Sequence, residues 1–192
     1  MDNDVSAGST TSTSVLGHLA LGLTLLAFGI GHTGVIDGVT AADAVSLALY
    51  VGGVALFVAG LFAFRAGDSF TGTAFAGLGA FWFTWGTGVG DQISADAAGL
   101  FLILWALLAL SLTLGAAGAG PLLQGTYGLL TVALLLLALG QFADSTGLAK
   151  IGGWVAAVAG LAAWYGATAS LAKWPTALPR GRAAGRGVTA TG

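Results

Sequence analysis

Residues 44–64 read AVSLALYVGGVALFVAGLFAF, twenty-one consecutive positions without a charged side chain. A helix of about that length, at 1.5 Å per residue, matches the roughly 30 Å hydrocarbon core of a bilayer. Five more runs of similar length and composition cover residues 15–31, 70–89, 97–115, 121–142 and 151–171. They are continuously apolar and lack the alternation of a membrane barrel strand. The sequence therefore predicts an all-α membrane protein built as a six-transmembrane-helix bundle.

Composition agrees with a lipid environment. The chain is 56% hydrophobic and 7% charged, with a mean hydropathy of +0.91, whereas about a quarter of the residues in an average soluble domain are charged. All six basic and all eight acidic residues lie in connectors or tails. This partition is expected because a charge at the bilayer centre costs about 2.5–3.5 kcal/mol on insertion scales. We expect a multi-pass protein of the plasma membrane.

The charged residues are unevenly divided between the two sides of a six-helix chain. One side would carry five of the six basic residues, which are Arg65, Lys173, Arg180, Arg182 and Arg186. The other side would carry one basic residue and five acidic ones, which are Lys150, Asp37, Asp43, Asp91, Asp96 and Asp144. Because basic residues accumulate in cytoplasmic segments, this distribution predicts that both termini are cytoplasmic.

Three segments are expected along the chain. Residues 1–14 are polar and lack the basic region of a signal peptide, so we expect a flexible N-terminal tail. Residues 15–174 form the transmembrane domain, whose short connectors predict that sequential helices are neighbours. Residues 175–192 combine prolines, glycines and arginines, a composition typical of a disordered basic tail.

Polar side chains inside the spans are the candidate contacts for a solute. The third span carries a stripe of small and hydroxyl residues that can pack against a helix or line a passage, and a similar small stripe marks the sixth span. The candidate hydrogen-bonding residues are Thr24, Thr73, Thr84, Trp105, Gln124, Thr131 and Gln141. No span contains Lys or Arg to pair with an anion. Weak binding in a channel or facilitated pathway is therefore favoured over tight ion pairing.

Two histidines flank the first span and are the only side chains that ordinarily titrate near neutrality. His18 and His32 are fourteen residues apart, close to four helical turns, so they share a stripe. Both are candidates for proton sensing, and the alternative is that they are ordinary polar residues at helix ends. The chain has no Cys and no Glu, and its spans hold no Asp or cluster of His. We therefore expect no enzyme activity, metal, cofactor or nucleic-acid partner.

A specific motif joins the second and third spans. Residues 64–82 read FRAGDSFTGTAFAGLGAFW, which closely resembles the pattern basic-x-G-N-T-F-x-x-T-A-F-x-x-Y-G-x-F-W of the acetate uptake transporter family, also called acetate/succinate transporters. Further similar positions are Leu104, Trp105, Gln124, Thr131, Val132, Gly140, Gln141, Gly153, Trp154, Gly160 and Tyr165. The resemblance implies transport of acetate and other short-chain monocarboxylates by a homo-hexamer with one pore in each protomer.

The chain departs from that family in its first-helix signature, in its constriction and at Asp68, where the family has Asn. The first-helix signature N-P-A-P-L-G-L, associated in the family with substrate uptake, is here STSVLGH at residues 12–18, so only Leu16 and Gly17 remain. The family's narrow constriction combines an aromatic residue on helix one, the Tyr of the third-helix motif and a Leu on helix five. The resemblance places Leu21, Leu78 and Leu130 at those positions. It implies an apolar gate that lacks a hydroxyl.

Three functions remain open from the sequence. The first is a pathway for short monocarboxylates, in which any accompanying protons travel chiefly on the undissociated acid. The second is a channel for a small neutral solute such as urea, a short amide or ammonia, which the altered signature and the uncharged spans favour. The third is a closed scaffold in which the leucines only seal the bundle.

Overall fold

The computed structural model describes the backbone of residues 4–89 and 93–174, and the side chains of residues 13–88 and 93–174. These residues form six long helices. They are α1 Asp4–Thr33, α2 Ala41–Arg65, α3 Ser69–Thr84, α4 Ala95–Gly115, α5 Pro121–Phe142 and α6 Thr146–Ala172. The predicted all-α, six-helix class is confirmed. The basic tail predicted at 175–192 and the loop residue Asp91 lie outside the described residues.

Five of the six helices are long and apolar enough to cross a membrane, namely the part of α1 from Thr13 onward together with α2, α4, α5 and α6. α3 is shorter, with 16 residues of α-helix, but it continues as π-helical turns over Trp85–Val89. The π turns bring this helix to Val89, where the sequence predicted its span to end. α2 also contains π-helical turns, over Ala48–Ala55, in the half of the helix that follows the α1–α2 connector.

Helix α1 begins well before its apolar run. The prediction of a flexible tail over residues 1–14 is wrong for residues 4–14, which form the first turns of α1. The first 33 residues contain no proline, and Ser and Thr residues that lipid would exclude can continue a helix in water. Hydropathy locates the start of the apolar part of α1, which lies several residues after the start of the helix itself.

The helix starts follow capping rules. Asp68 precedes α3, and its Oδ1 accepts a hydrogen bond from the backbone N–H of Thr71 at 2.9 Å. Ser94 caps α4, and Ser145 caps α6 in the same way. α5 starts with Gly120 at φ 114° and Pro121, and no side chain caps it. Asp is among the residues preferred at this position.

The helices form a ring in sequence order. α1 packs against α2 and α6, α5 packs against α4 and α6, and α3 packs against α2 and touches α4. This arrangement confirms that sequential helices are neighbours. The interior of the ring is one apolar core to which every helix contributes.

Glycine pairs bring α1 and α6 into backbone contact. A Cβ placed on Gly29 would lie 2.5 Å from the Ala157 nitrogen, and one on Gly153 would lie 2.8 Å from the Gly29 oxygen. Seven residues away the same reciprocal contact joins Gly22 and Gly160. Close backbone approach gains dispersion energy, which is the main source of helix association in lipid. The small stripe of the sixth span is therefore a packing surface.

Replacing Gly29 with Ala tests this contact. The new methyl group would collide with the α6 backbone, so we expect Gly29→Ala to destabilise the protein by about 1–3 kcal/mol and to lower its melting temperature in detergent. Gly125→Ala is the control, because its added methyl group meets nothing within 4 Å and Ala favours a helix. Equal melting temperatures for Gly29→Ala and the wild-type protein would contradict the packing argument.

Candidate functional site

One stripe of α1 faces the bundle interior. Its members recur at alternating spacings of four and three residues, which keeps them on one side of a helix. They are Ser14, His18, Leu21, Leu25, Phe28 and His32. Rings on this stripe meet α3 and its π-helical extension across the core, with His18 against Phe75 and Phe28 against Trp82 and Trp85. The expectation that both histidines share a stripe is confirmed.

The three leucines of the predicted constriction lie within that core. Leu21, Leu78 and Leu130 come from α1, α3 and α5, and each is at most 1% exposed. All three belong to one buried apolar cluster. A layer of leucine side chains offers no hydrogen bond to a solute. Their role as a gate stays a prediction.

A cavity of about 230 Å³ opens at one end of the bundle, between the N-terminal half of α1, the start of α5 and the end of α6. We call it the end cavity. Its polar wall contains Ser14, His18, Thr126 and Ser170, and the start of α5 contributes Gly120. The volume is several times that of one water molecule, so the end cavity can hold a small solute.

The His18 ring lies beside the end cavity. His18 Nδ1 lies 2.8 Å from the Ser14 carbonyl oxygen, and its ring meets the Phe75 ring edge-on at a centroid distance of 4.9 Å. Gly17 allows this arrangement, because a Cβ there would lie 2.1 Å from the Phe75 ring. The His18 Nε2 is buried and has no hydrogen-bond partner among the described residues.

Two further polar atoms without a hydrogen-bond partner among the described residues lie in the core. Thr24 Oγ1 and Trp82 Nε1 are both buried and without a hydrogen-bond partner in the described part of the chain. They flank Gly52 in the π-helical part of α2, where an added Cβ would lie 3.0 Å from Thr24 Oγ1 and 2.8 Å from Trp82 Cγ. Thr24 follows Leu21 by one helical turn, so the pair lies next to the predicted constriction. Unsatisfied polar groups in a core are rare, so each one calls for an explanation.

Aromatic rings fill the part of the core beyond this pair. The Phe81 ring stacks on the Phe101 ring at a centroid distance of 5.7 Å and is tilted against the Trp105 ring at 5.5 Å. The ring centroids of His32 and Phe28 are 4.4 Å apart. His32 also places Nδ1 2.8 Å from the Phe28 carbonyl oxygen. Trp105, predicted as a polar lining residue, is thus a partly buried member of an aromatic cluster.

Two predicted lining residues on α3 lie elsewhere. Thr73 and Thr84 are exposed on the outside of the bundle, and each hydroxyl donates to a carbonyl four residues earlier, Ser69 and Ala80 respectively. The prediction that they line a passage through the protomer is wrong. Their hydroxyls are satisfied by their own helix, so they can face outward without an unpaired donor.

The other predicted polar residues lie on α5 and are buried or partly buried. Gln124 Nε2 donates to the Thr113 carbonyl at 3.4 Å, and Thr131 Oγ1 donates to the Tyr127 carbonyl while lying 3.3 Å from Thr113 Oγ1. The two contacts with Thr113 join α5 to α4. Gln141 is partly buried near the end of α5.

The two residues that remain of the first-helix signature differ in their exposure. Leu16 is exposed at 61%, whereas Gly17 is buried beneath Phe75.

Sequence reasoning missed several residues of the site. Trp82 and the Ser14, Thr126 and Ser170 hydroxyls of the end cavity were not selected as candidates. Trp82 lies within the quoted motif of residues 64–82, and Thr126 falls one turn before Leu130 on α5. Helical spacing from the predicted leucine would have found Thr126. Only the three-dimensional contacts reveal that the Trp82 nitrogen has no partner.

Comparison with known proteins identifies relatives over most of the chain. The GPR1/FUN34/yaaH family pattern matches residues 4–178. The chain is 29% identical over 154 residues to the succinate-acetate/proton symporter SatP of Escherichia coli, covering 76% of this chain and 80% of that protein. It is 28% identical over 140 residues to the ammonia transport outward protein 2 of Saccharomyces cerevisiae, covering 62% of this chain and 50% of that protein.

A solved structure matches the whole bundle. The structure of the bacterial acetate channel SatP superposes with a TM-score of 0.77 at 27% sequence identity, covering 84% of this chain and 92% of the channel. The six-helix ring is therefore a known membrane architecture. Together with the five apolar spans, it identifies a multi-pass membrane protein with transport proteins as relatives.

Replacing Thr24 with Val separates stability from passage. Removing a buried hydroxyl without a partner relieves a desolvation cost of about 1 kcal/mol or more, so we expect a higher melting temperature and a lower solute flux in liposomes. Thr131→Val is the matched control, since its hydroxyl is bonded to Tyr127 and its loss gives no such gain. A Thr24→Val protein that is less stable than the wild type would contradict the claim that this hydroxyl is unpaired. A variant that keeps full flux would contradict its contact with the solute.

Proposed function

Because this chain belongs to the GPR1/FUN34/yaaH family, we propose that it passes acetate and other short-chain monocarboxylates across a membrane through a narrow apolar passage. The match of the entire bundle to a bacterial acetate channel carries this proposal, since it covers all but a small part of both chains. The symporter among the relatives supports a link to protons. The family expected from the motif at residues 64–82 is thus confirmed.

The electrostatics of the bundle favour a neutral passenger at the constriction. No Asp, Glu, Lys or Arg occurs in residues 14–36, 44–64, 69–90 or 97–143. A bare carboxylate among leucines would lack both water and a counter-charge, at a cost of many kcal/mol. The undissociated acid meets no such penalty. We propose that the acid crosses the layer of Leu21, Leu78 and Leu130 in its neutral form and is met beyond it by Thr24 and Trp82.

Orientation and assembly complete the proposal. In the ring, Arg65 and Lys173 end α2 and α6 at the side where α1 begins, whereas Asp43 and Asp96 lie at the opposite side. Positive residues favour the cytoplasm, so we assign both termini and the end cavity to that side. Following the family resemblance, we propose a homo-hexamer with a pathway in each protomer. Native mass spectrometry of the purified protein tests the number of subunits.

A second candidate is a channel for a small neutral solute. It is favoured by the leucine at position 78, where the family motif has a tyrosine, and by the relative named for ammonia transport. The chain spans about half of that relative.

Flux measurements distinguish the two candidate functions. In proteoliposomes, we expect labelled acetate to enter faster as pH falls from 7.5 to 5.5, because more of it is undissociated, and urea flux to stay near the leak of empty vesicles. Urea or ammonia flux above that leak, without protein-dependent acetate flux, would favour the second candidate.

Widening the leucine layer tests the gate. We expect Leu78→Ala to raise acetate flux several-fold and to admit longer acids such as butyrate, because truncation leaves a gap in a fully buried layer. Leu107→Ala removes the same atoms from a side chain that is 56% exposed on α4, so its flux should match the wild type. Unchanged flux in Leu78→Ala would indicate that the leucines only close the bundle.

A further inference from the structure

Two π-helical segments meet in the half of the bundle opposite the end cavity, which we call the far half. They are Ala48–Ala55 in α2 and Trp85–Val89 after α3, and we call them the π pair. We propose that a shift of hydrogen-bond register in the π segment of α2 opens the far half to the solute. This inference rests on the proposed function, because it names the movement by which a carboxylic acid passes beyond the leucine layer.

Side chains are packed tightly in the far half. The Phe28 ring meets the Trp82 and Trp85 rings at centroid distances of 5.1 and 5.3 Å. Gly52 lies between two side chains of the core, because a Cβ there would lie 2.6 Å from Thr24 Cγ2 and 2.8 Å from Trp82 Cγ. Acetic acid is larger than this missing methyl group. Its passage at this level therefore requires a movement of the helices.

The contacts of α2 support a π register in its first half. The Leu56 N–H reaches the carbonyl oxygen of Val51, five residues earlier, which is the π-helical bond. One line of buried positions recurs every four residues before Leu56, longer than the 3.6 of an α-helix, and at spacings of three and four after it. These positions are Ala44, Ala48, Gly52, Leu56, Ala59 and Ala63. The helix thus has more residues per turn before Leu56 than after it.

An exchange between π and α register keeps the backbone hydrogen-bonded. In the α register each N–H donates to the fourth preceding carbonyl instead of the fifth, so the exchange avoids unpaired backbone groups, which are costly in lipid. With the part of α2 after the segment held in place, the exchange lengthens the helix toward its start. The part before the segment then turns by about 100° and moves outward by about 1.5 Å.

The shift puts the next residue of the sequence at each position of the segment. Gly53 takes the place of Gly52, so both registers present a glycine to the core. Tyr50 takes the place of Leu49, which packs against the second π segment where a Cβ on Gly86 would lie 3.0 Å from the Leu49 Cβ. Because tyrosine is larger than leucine, the exchange separates the two segments.

The separation acts on the rings of the far half. Trp85 is the first residue of the second π segment, and Trp82 lies three positions before it. When this end of α3 moves away from α1 and α2, both rings lose their contact with Phe28 of α1. The far half then opens beyond the leucine layer. π-helical turns are rare and are frequent at functional sites, which agrees with this role.

A reversible crosslink of the π pair tests the shift. The chain has no cysteine, so Leu49→Cys with Gly86→Cys supplies one disulfide. The two Cβ positions lie 3.0 Å apart, and a small adjustment reaches the roughly 3.8 Å of a disulfide. The bond holds residue 49 against residue 86 and so prevents the exchange. We expect oxidation to lower acetate flux in proteoliposomes about tenfold or more, and reduction to restore it.

A second crosslink outside the π pair is the matched control. Thr113→Cys with Gly128→Cys joins α4 to α5, because a Cβ on Gly128 would lie 3.6 Å from Thr113 Cγ2. We expect equal acetate flux from the oxidised and reduced forms of this protein. Mass spectrometry checks that both disulfides form.

Distances between spin labels at exposed positions measure the movement without a crosslink. Ser46→Cys with Ile151→Cys labels the far half, and Leu61→Cys with Leu171→Cys labels the other half. Co-expression with an excess of the cysteine-free wild-type chain leaves one labelled protomer in each oligomer. We expect two distances for the far pair, in a ratio that changes when acetate is added. The other pair should give one distance, because the part of α2 after the segment stays in place.

The outcomes separate the register shift from the transport proposal. Equal acetate flux from the oxidised and reduced π-pair protein overturns the shift and leaves the transport function standing. A single far-pair distance that acetate does not change, or equal changes in both label pairs, also overturns the shift. These distances decide alone if the crosslinking variant does not fold. Two far-pair distances in a protein that passes no acetate support the shift and overturn the transport function.

Discussion

Backbone contact between helices is the interaction on which the rest of the structure depends. In lipid, apolar side chains gain little by leaving one hydrocarbon environment for another, so helices associate through close packing. α1 meets α6 at Gly22, Gly29, Gly153 and Gly160, where an added Cβ would approach backbone atoms within 3 Å. This contact fixes the rotation of α1 about its axis. Because the rotation is fixed, the stripe from Ser14 to His32 faces the interior of the bundle.

Glycine also shapes the interior at side-chain level. At Gly17 the missing Cβ leaves room for the Phe75 ring, which in turn packs edge-on against His18. At Gly52 it leaves room between Thr24 and Trp82. Small residues thus do two things in this chain: they close the distance between helices, and they bring aromatic rings beside polar atoms. A bulkier residue at either position would change the candidate pathway without touching its polar groups.

The sequence predicted the architecture well because hydropathy and charge report directly on the lipid boundary. Each of the six uncharged runs lies in one of the six long helices. The start of α1 at Asp4 was missed, because lipid exclusion and helix formation are different constraints. Site prediction was weaker. Thr73 and Thr84 were assigned to a lumen from residue type alone, but a threonine whose hydroxyl bonds to its own helix can face outward just as well.

Three buried polar atoms have no hydrogen-bond partner among the described residues, and they belong to residues of the candidate pathway. His18 lines the end cavity, Leu21, Leu78 and Leu130 are buried in the core, and Thr24 follows Leu21 by one helical turn on α1. A solute crossing the bundle would exchange hydrogen bonds only on either side of the leucines. Between those positions an ion would lose hydration with nothing in return, whereas a neutral acid loses far less. In the proposed function, the apolar side chains of these leucines favour the neutral form of the passenger, because they offer an ion neither a counter-charge nor a hydrogen bond.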